Sequence, residues 1–282
     1  MFSRISTSWE LVKASAQVLK ADKELLVFPL ISAVALILVL ATFIVPTALL
    51  SPGFLQALDT GDASPFTWAL ALAFYFVQYS VILYFNSALV GAAMIRLDGG
   101  DPTVRDGLRI ATSRLGSILG YALIAASVGV VLRAIRGRSG IVGNIVAGLV
   151  GLAWSLATFL VVPVLVVRGG GPIEAIKESA SVLKRTWGEQ IVGSFGIGLI
   201  FLFVYLGIGL SGGVAIVAAA SADMGAVALF VGAALVLAFM LTALVQSALS
   251  GIYTAALYRF ATAGEIGGGF SSHLLEQAFR AK

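Results

Sequence analysis

Six long apolar stretches separated by short polar segments set the pattern of this chain. Leu25 to Leu50 carries no charged residue, and at 1.5 Å per residue it exceeds the roughly 20 residues a helix needs to cross hydrocarbon. Further stretches of this kind run from Phe66 to Ile95, Gly116 to Leu132, Ile141 to Val167, Ile191 to Ala222 and Gly225 to Tyr258. Six membrane-spanning helices are predicted. The last two exceed the bilayer minimum, so they must tilt or project, and the turn between them around Asp223 must be tight.

The polar segments carry a second pattern. ELVKASAQVLK from Glu10 to Lys20 returns as EAIKESASVLK from Glu174 to Lys184, and a looser copy lies between Asp106 and Leu115. In each copy an acid precedes a base by three residues: Glu10 and Lys13, Asp106 and Arg109, Glu174 and Lys177. Apolar residues in each keep helical spacing, as with Ile5, Trp9, Val12, Ala16 and Leu19. Each copy precedes a pair of apolar spans, and recurrence of such a unit marks duplicated supersecondary structure. Glycine-rich segments (GGDP from Gly99, GGGP from Gly169, GGGF from Gly267) close the even-numbered spans; glycine ends a helix, and proline suits the first turn of the next.

The expected architecture is all-α: six transmembrane helices as three like-oriented helical-hairpin repeats, each preceded by a cytosolic amphipathic helix. Repeat one covers residues 1–98, repeat two 99–168 and repeat three 169–264, followed by a C-terminal amphipathic helix over 265–282. Even numbers of spans per repeat predict approximate threefold symmetry about the membrane normal. The amphipathic helices either lie in the headgroup layer or pack on the protein's own cytosolic face. Trp9, Lys13, Arg109, Lys177 and Trp187 are the residues expected to touch lipid headgroups.

Composition narrows the class. The chain is 59% hydrophobic and 11% charged, against roughly 25% charged in soluble domains, and its mean hydropathy is +1.02. That describes a single integral membrane domain over 1–282. Charged residues between Glu10 and Glu24 interrupt the N-terminal stretch before any apolar run, so the first span is expected to stay as an anchor. The net charge of +4 sits in short loops beside the spans, a membrane pattern and not a nucleic-acid patch. Of the 18 bases, all but Arg133, Arg136 and Arg138 agree with a multi-pass protein of the cell membrane that has both termini in the cytoplasm. Membrane lipids are the expected partners, along with a homo-oligomer or membrane-protein partner. There is no cysteine, and the one histidine is His273 in the tail.

No ionisable residue lies in a span core, and metal, phosphate-loop and nucleophile constellations are absent from the sequence. The expectation is therefore no catalytic residue, no metal and no cofactor. What remains is neutral polarity. Gln78, Tyr79 and Asn86 interrupt span two, and Thr242, Gln246 and Tyr253 form a stripe in span six. Gln78 and Gln246 share the spacing that relates Pro102 to Phe270, so they read as repeat-equivalent residues, each facing the other's repeat. These six are candidates for a polar cavity; interhelical hydrogen bonding is the plainer reading.

WELVKASAQVLKADKELLVFP, from Trp9 to Pro29, together with the repeated glycine-proline-helix device, resembles an uncharacterised prokaryotic family of six-helix membrane proteins. GDPTVRDGLRIATSRLGSILGY, from Gly100 to Tyr121, is similar to the membrane domain attached to some bacterial glycerophosphodiester phosphodiesterases. Neither resemblance brings catalytic residues. Two function classes follow: a passive transporter, channel or lipid-handling protein with a neutral polar site between repeats, or a non-catalytic accessory protein that binds lipid or a partner through its amphipathic helices.

Overall fold

The computed structural model describes residues 2–50, 64–138, 140–187, 196–264, 267 and 270, and among them it is helical with no strand. Helix α1 (Phe2–Ala21) leads through a 3-10 turn (Lys23–Leu26) into α2 (Val27–Leu50). Then come α3 (Pro65–Leu97), α4 (Val104–Ser113), α5 (Leu115–Arg138), α6 (Gly140–Ala157), α7 (Val161–Arg168), α8 (Pro172–Trp187), α9 (Gly196–Ser221) and α10 (Gly225–Ala263). Among the described residues six helical segments are long and apolar enough to cross a membrane, with α6 and α7 together making the fourth. The expected helix over 265–282 lies outside the described residues.

Local chemistry explains most boundaries. Ser64 caps α3, accepting from the Thr67 amide at 3.2 Å. Thr103 and Asp106 cap α4 reciprocally, which leaves Pro102 just before the helix and not in its first turn. Pro172 does open α8. The even-numbered spans α3, α7 and α10 each run into a left-handed glycine, Gly99, Gly169 and Gly264, a conformation that costs glycine little. The predicted tight turn between α9 and α10 bends at Asp223, with φ of 56°.

Span four was expected to be continuous, but it breaks at Thr158–Leu160. Pro163 is the reason: its ring would collide with the carbonyl four residues earlier, and it has no N–H to donate. The backbone tightens instead, with Phe159 N bonding Leu156 O at 3.2 Å and Val161 N bonding Thr158 O at 3.1 Å.

The buried side chains gather at one end of the bundle, the end that carries α1, α4 and α8. There α3 (Ala88 to Met94), α7 (Val161 to Val166) and α10 (Ala248 to Tyr258) pack on one another in a single apolar cluster. Toward the far end buried residues are few and small, such as Ala71, Ala147 and Ala219, while Leu210, Val214, Leu229 and Phe230 stand exposed. Exposed apolar surface on this scale suits lipid and not water.

The three charged helices place their buried stripes on hairpins. Helix α1 packs against α9 and α10, α4 against α3, and α8 against α5, α6 and α7. The buried positions are Leu11, Ala14, Ser15, Val18 and Leu19 in α1, Gly107 and Ala111 in α4, and Ala175, Ser179, Val182 and Leu183 in α8. These faces are therefore covered by protein, and only their edges can reach a headgroup layer.

Candidate functional site

The polar residues of spans two and six are spread over different neighbours. Asn86 is half-buried where α3 crosses α10: a methyl group at Gly251 would lie 2.5 Å from Leu89 Cδ2 and 3.6 Å from Asn86 Oδ1. The absent side chain at Gly251 is thus what lets the two helices approach there. Tyr79 is half-buried against α5, its ring and hydroxyl 3.9 Å from where a Cβ on Gly129 would sit. One turn outward, Arg133 donates from Nη1 to the Tyr75 hydroxyl at 3.3 Å.

Gln246 is engaged within its own hairpin. Its Oε1 accepts from the Tyr205 hydroxyl of α9 at 2.7 Å, and the Tyr205 ring stacks on Phe239 at 5.7 Å. Among the described residues no hydrogen bond links it to Gln78, which is half-buried on α3; its bond lies within hairpin three. Thr242 returns its hydroxyl to the Ala238 carbonyl at 2.7 Å, the usual way for a helical threonine to satisfy itself in an apolar setting. Tyr253 is buried in the charged-end core. Gln246→Leu should cost about 0.6–2 kcal/mol in thermal unfolding in detergent, the range for interhelical hydrogen bonds in membranes. No loss would mean that the Tyr205 bond is not structural.

The candidate headgroup residues divide similarly. Trp9 is exposed at the edge of α1, with Lys13 Nζ 5.7 Å from its ring centroid. Lys177 is exposed on α8. Arg109 is exposed too, but it is paired with Asp106 at 3.0 Å, so its charge is partly answered within the helix. The side chain of Trp187 lies outside the described residues.

A cluster at the charged end was not legible beforehand. Arg259 of α10 bonds Asp98 at the end of α3 at 2.6 Å, Arg96 lies 3.8 Å from Asp101, and Arg168 at the end of α7 bonds Glu178 of α8 at 3.1 Å. These pairs tie the ends of all three even-numbered spans to loops or helices beside them. No spacing in the chain reports the Arg259–Asp98 and Arg168–Glu178 pairs, because each depends on which elements the fold brings to one face.

Asp22 sits buried at the hinge between α1 and the 3-10 turn. Its Oδ1 caps the turn by accepting from the Glu24 amide at 3.1 Å, while Oδ2 has no hydrogen-bond partner among the described residues. Burial pushes its carboxyl above the ordinary carboxylate range, against the opposing effects of the Glu24 amide and nearby Arg96. With the folded pKa raised, the folded state binds the proton more tightly than the unfolded chain. Asp22 therefore favours folding at pH below its unfolded value and loses that contribution as pH rises through the folded pKa. Asp22→Asn keeps the cap acceptor and removes the charge. Its melting temperature should match or exceed the parent's at neutral pH, with a flatter acid profile; a lower neutral value would show that the charge on Asp22 is needed.

The profile of a family described as "Family of unknown function (DUF6159)" matches residues 66–269. The match takes in α3 to α10 and leaves α1 and α2 outside it. No curated protein and no solved structure matches the chain, and nothing links it to the glycerophosphodiester phosphodiesterases.

Proposed function

We propose that this chain, which belongs to the family of unknown function DUF6159, is a non-catalytic membrane protein that handles lipid, with its charged end in the cytoplasm. The observation that carries this reading is the uneven packing of the bundle. Where α3, α7 and α10 meet at the charged end, Ala88, Leu89, Val164, Leu165, Ile252 and Ala255 are buried and apolar. A path for ions or hydrated solutes along that axis would need polar lining. The far half buries few side chains and exposes large apolar ones, with Asn86 at its base and Gln78 and Gln246 higher up. Acyl chains can enter such a region from the side, and neutral amides can meet glycerol or ester groups without burying charge. This favours lipid handling over a transporter or channel for water-soluble cargo.

The three-repeat organisation is part of this reading, and burial supports it. Aligning Glu10, Asp106 and Glu174 puts Leu11, Gly107 and Ala175 in one position and Ser15, Ala111 and Ser179 in another; all six are buried. The docking order is cyclic as well, since α1 lies on hairpin three, α4 on hairpin one and α8 on hairpin two. Like-oriented hairpins around an axis normal to the membrane produce that arrangement.

A proteoliposome assay tests the function. Labelled phospholipid should exchange between leaflets faster than in protein-free vesicles, with no matching flux of a small anion or potassium. Lipid exchange at the protein-free rate would sink the reading and favour the accessory alternative, which the exposed Trp9 with its Lys13 partner supports. For orientation, cysteines at Gln17, Thr112 and Ser181 should resist an impermeant thiol reagent added to intact cells, and one at Asp223 should label; all four side chains are exposed. Labelling at the first three would invert the topology.

A further inference from the structure

We propose that the charged end is a collar selective for anionic phospholipid headgroups. The argument starts from where the carboxylates go. Glu24 accepts from the Val104 amide at 2.9 Å and Glu174 from the Gly171 amide at 3.1 Å. Asp22 and Asp106 serve as caps, and Asp98, Asp101 and Glu178 are paired with Arg259, Arg96 and Arg168. Among the described carboxylates at this end, Glu10 alone is not engaged. The cations are disposed differently. Lys20, Lys23, Arg105, Lys177, Lys184 and Arg185 are all exposed, and none forms an ion pair within the described residues.

Carboxylates at this end are thus mostly engaged in caps, backbone hydrogen bonds and ion pairs, although Glu24, Asp98, Asp101 and Glu174 stay exposed, while cations with no ion pair among the described residues are left outward on all three charged helices. The six cations without an ion pair among the described residues make this end a basic rim. The rim's depth in the membrane is marked by the apolar residues beside it, since Trp9, Leu115, Val167 and Ile173 are exposed at the same end. Cations next to exposed apolar side chains match the layer where phosphates lie above acyl chains. The complementary surface is therefore an anionic leaflet and not an acidic protein, which would offer charge without hydrocarbon at that level.

The collar rests on the membrane reading, which alkaline carbonate extraction tests separately: release of the chain into the soluble fraction would sink both. The collar's own test uses full-length protein in neutral detergent, supplemented with phosphatidylglycerol or phosphatidylcholine and followed by thermal unfolding. Phosphatidylglycerol should raise the melting temperature by several degrees more than phosphatidylcholine, at roughly the interaction strength expected per surface cation, and high salt should erase the difference. In the combined variant Lys20→Gln, Lys177→Gln, Lys184→Gln, Arg185→Gln the preference, read by lipid titration, should fall by about fivefold per cation removed. The same lysines changed to arginine should retain it. Equal shifts with both lipids in the parent protein would overturn the proposal, as would an undiminished preference in the glutamine variant.

Discussion

Gly107→Ala is expected to be among the most damaging single-methyl changes in the protein, lowering stability by about 1–3 kcal/mol as overpacking does. A Cβ at residue 107 would sit 2.5 Å from Phe28 Cζ and 2.6 Å from the Ala88 carbonyl oxygen. A phenyl ring can pivot, but a carbonyl held in the middle of α3 cannot. Relief therefore requires α4 to lift away from α3, opening the seam between the charged helix and hairpin one. Thermal unfolding in detergent reads the loss, and faster amide exchange in α4 than in α8 would localise it. Gly148→Ala is the control: nothing lies within 4 Å of its missing Cβ, so that change should be neutral or slightly stabilising. Equal effects of the two substitutions would refute the close approach at Gly107.

Ser179→Ala should produce the second large loss, about 1–3 kcal/mol. The break before Pro163 leaves the Leu160 amide without a helical acceptor, and the Ser179 hydroxyl reaches across from α8 to accept it at 3.0 Å in a buried setting. Alanine would leave that N–H buried and unpaired, which costs more than the bond's net contribution when present. Ser15 is the natural comparison, because it occupies the matching position in the first copy. Its hydroxyl is buried without a hydrogen-bond partner among the described residues. Helix α10, against which α1 packs, runs unbroken from Gly225 to Ala263 and frees no amide there. Ser15→Ala should thus be nearly neutral. If the two serine variants lose stability equally, the account of the break is wrong.

The sequence by itself determined everything that follows from the length and polarity of segments. Long runs of uncharged residues must leave water, and only a helix satisfies its own backbone while doing so, so six spans were legible, although the helix of the third, the shortest run, continues to Arg138 through the expected loop. Glycine after the second and fourth spans was legible too, at GGDP and GGGP, since the left-handed turn is a local backbone property; after the sixth span the left-handed residue is Gly264, ahead of the expected GGGF. That the three charged segments are helical followed from their spacing, but the buried face did not: Trp9, Leu115 and Ile173 of the expected stripes are exposed, while Leu11, Ala14, Ser179 and Val182 are buried.

What only the tertiary structure decided is which surface meets which. Leu11 and Ala175 face a hairpin although the expected stripes ran through Trp9 and Ile173, because close approach of each helix to its hairpin places small residues such as Ala14, Ser15 and Ser179 at the contact. Pro163 signalled trouble in span four, but its repair by Ser179 joins residues that meet only when α8 docks. The pairing of Gln246 with Tyr205 depends on the rotation of α10 about its own axis. That rotation is set by side-chain packing along a helix whose residues are nearly all apolar, and the sparse stripe of Thr242, Gln246 and Tyr253 does not say which neighbour it meets. The basic rim emerged for a related reason: a carboxylate and a lysine count equally in a composition, and only the fold spends one on a cap while leaving the other exposed.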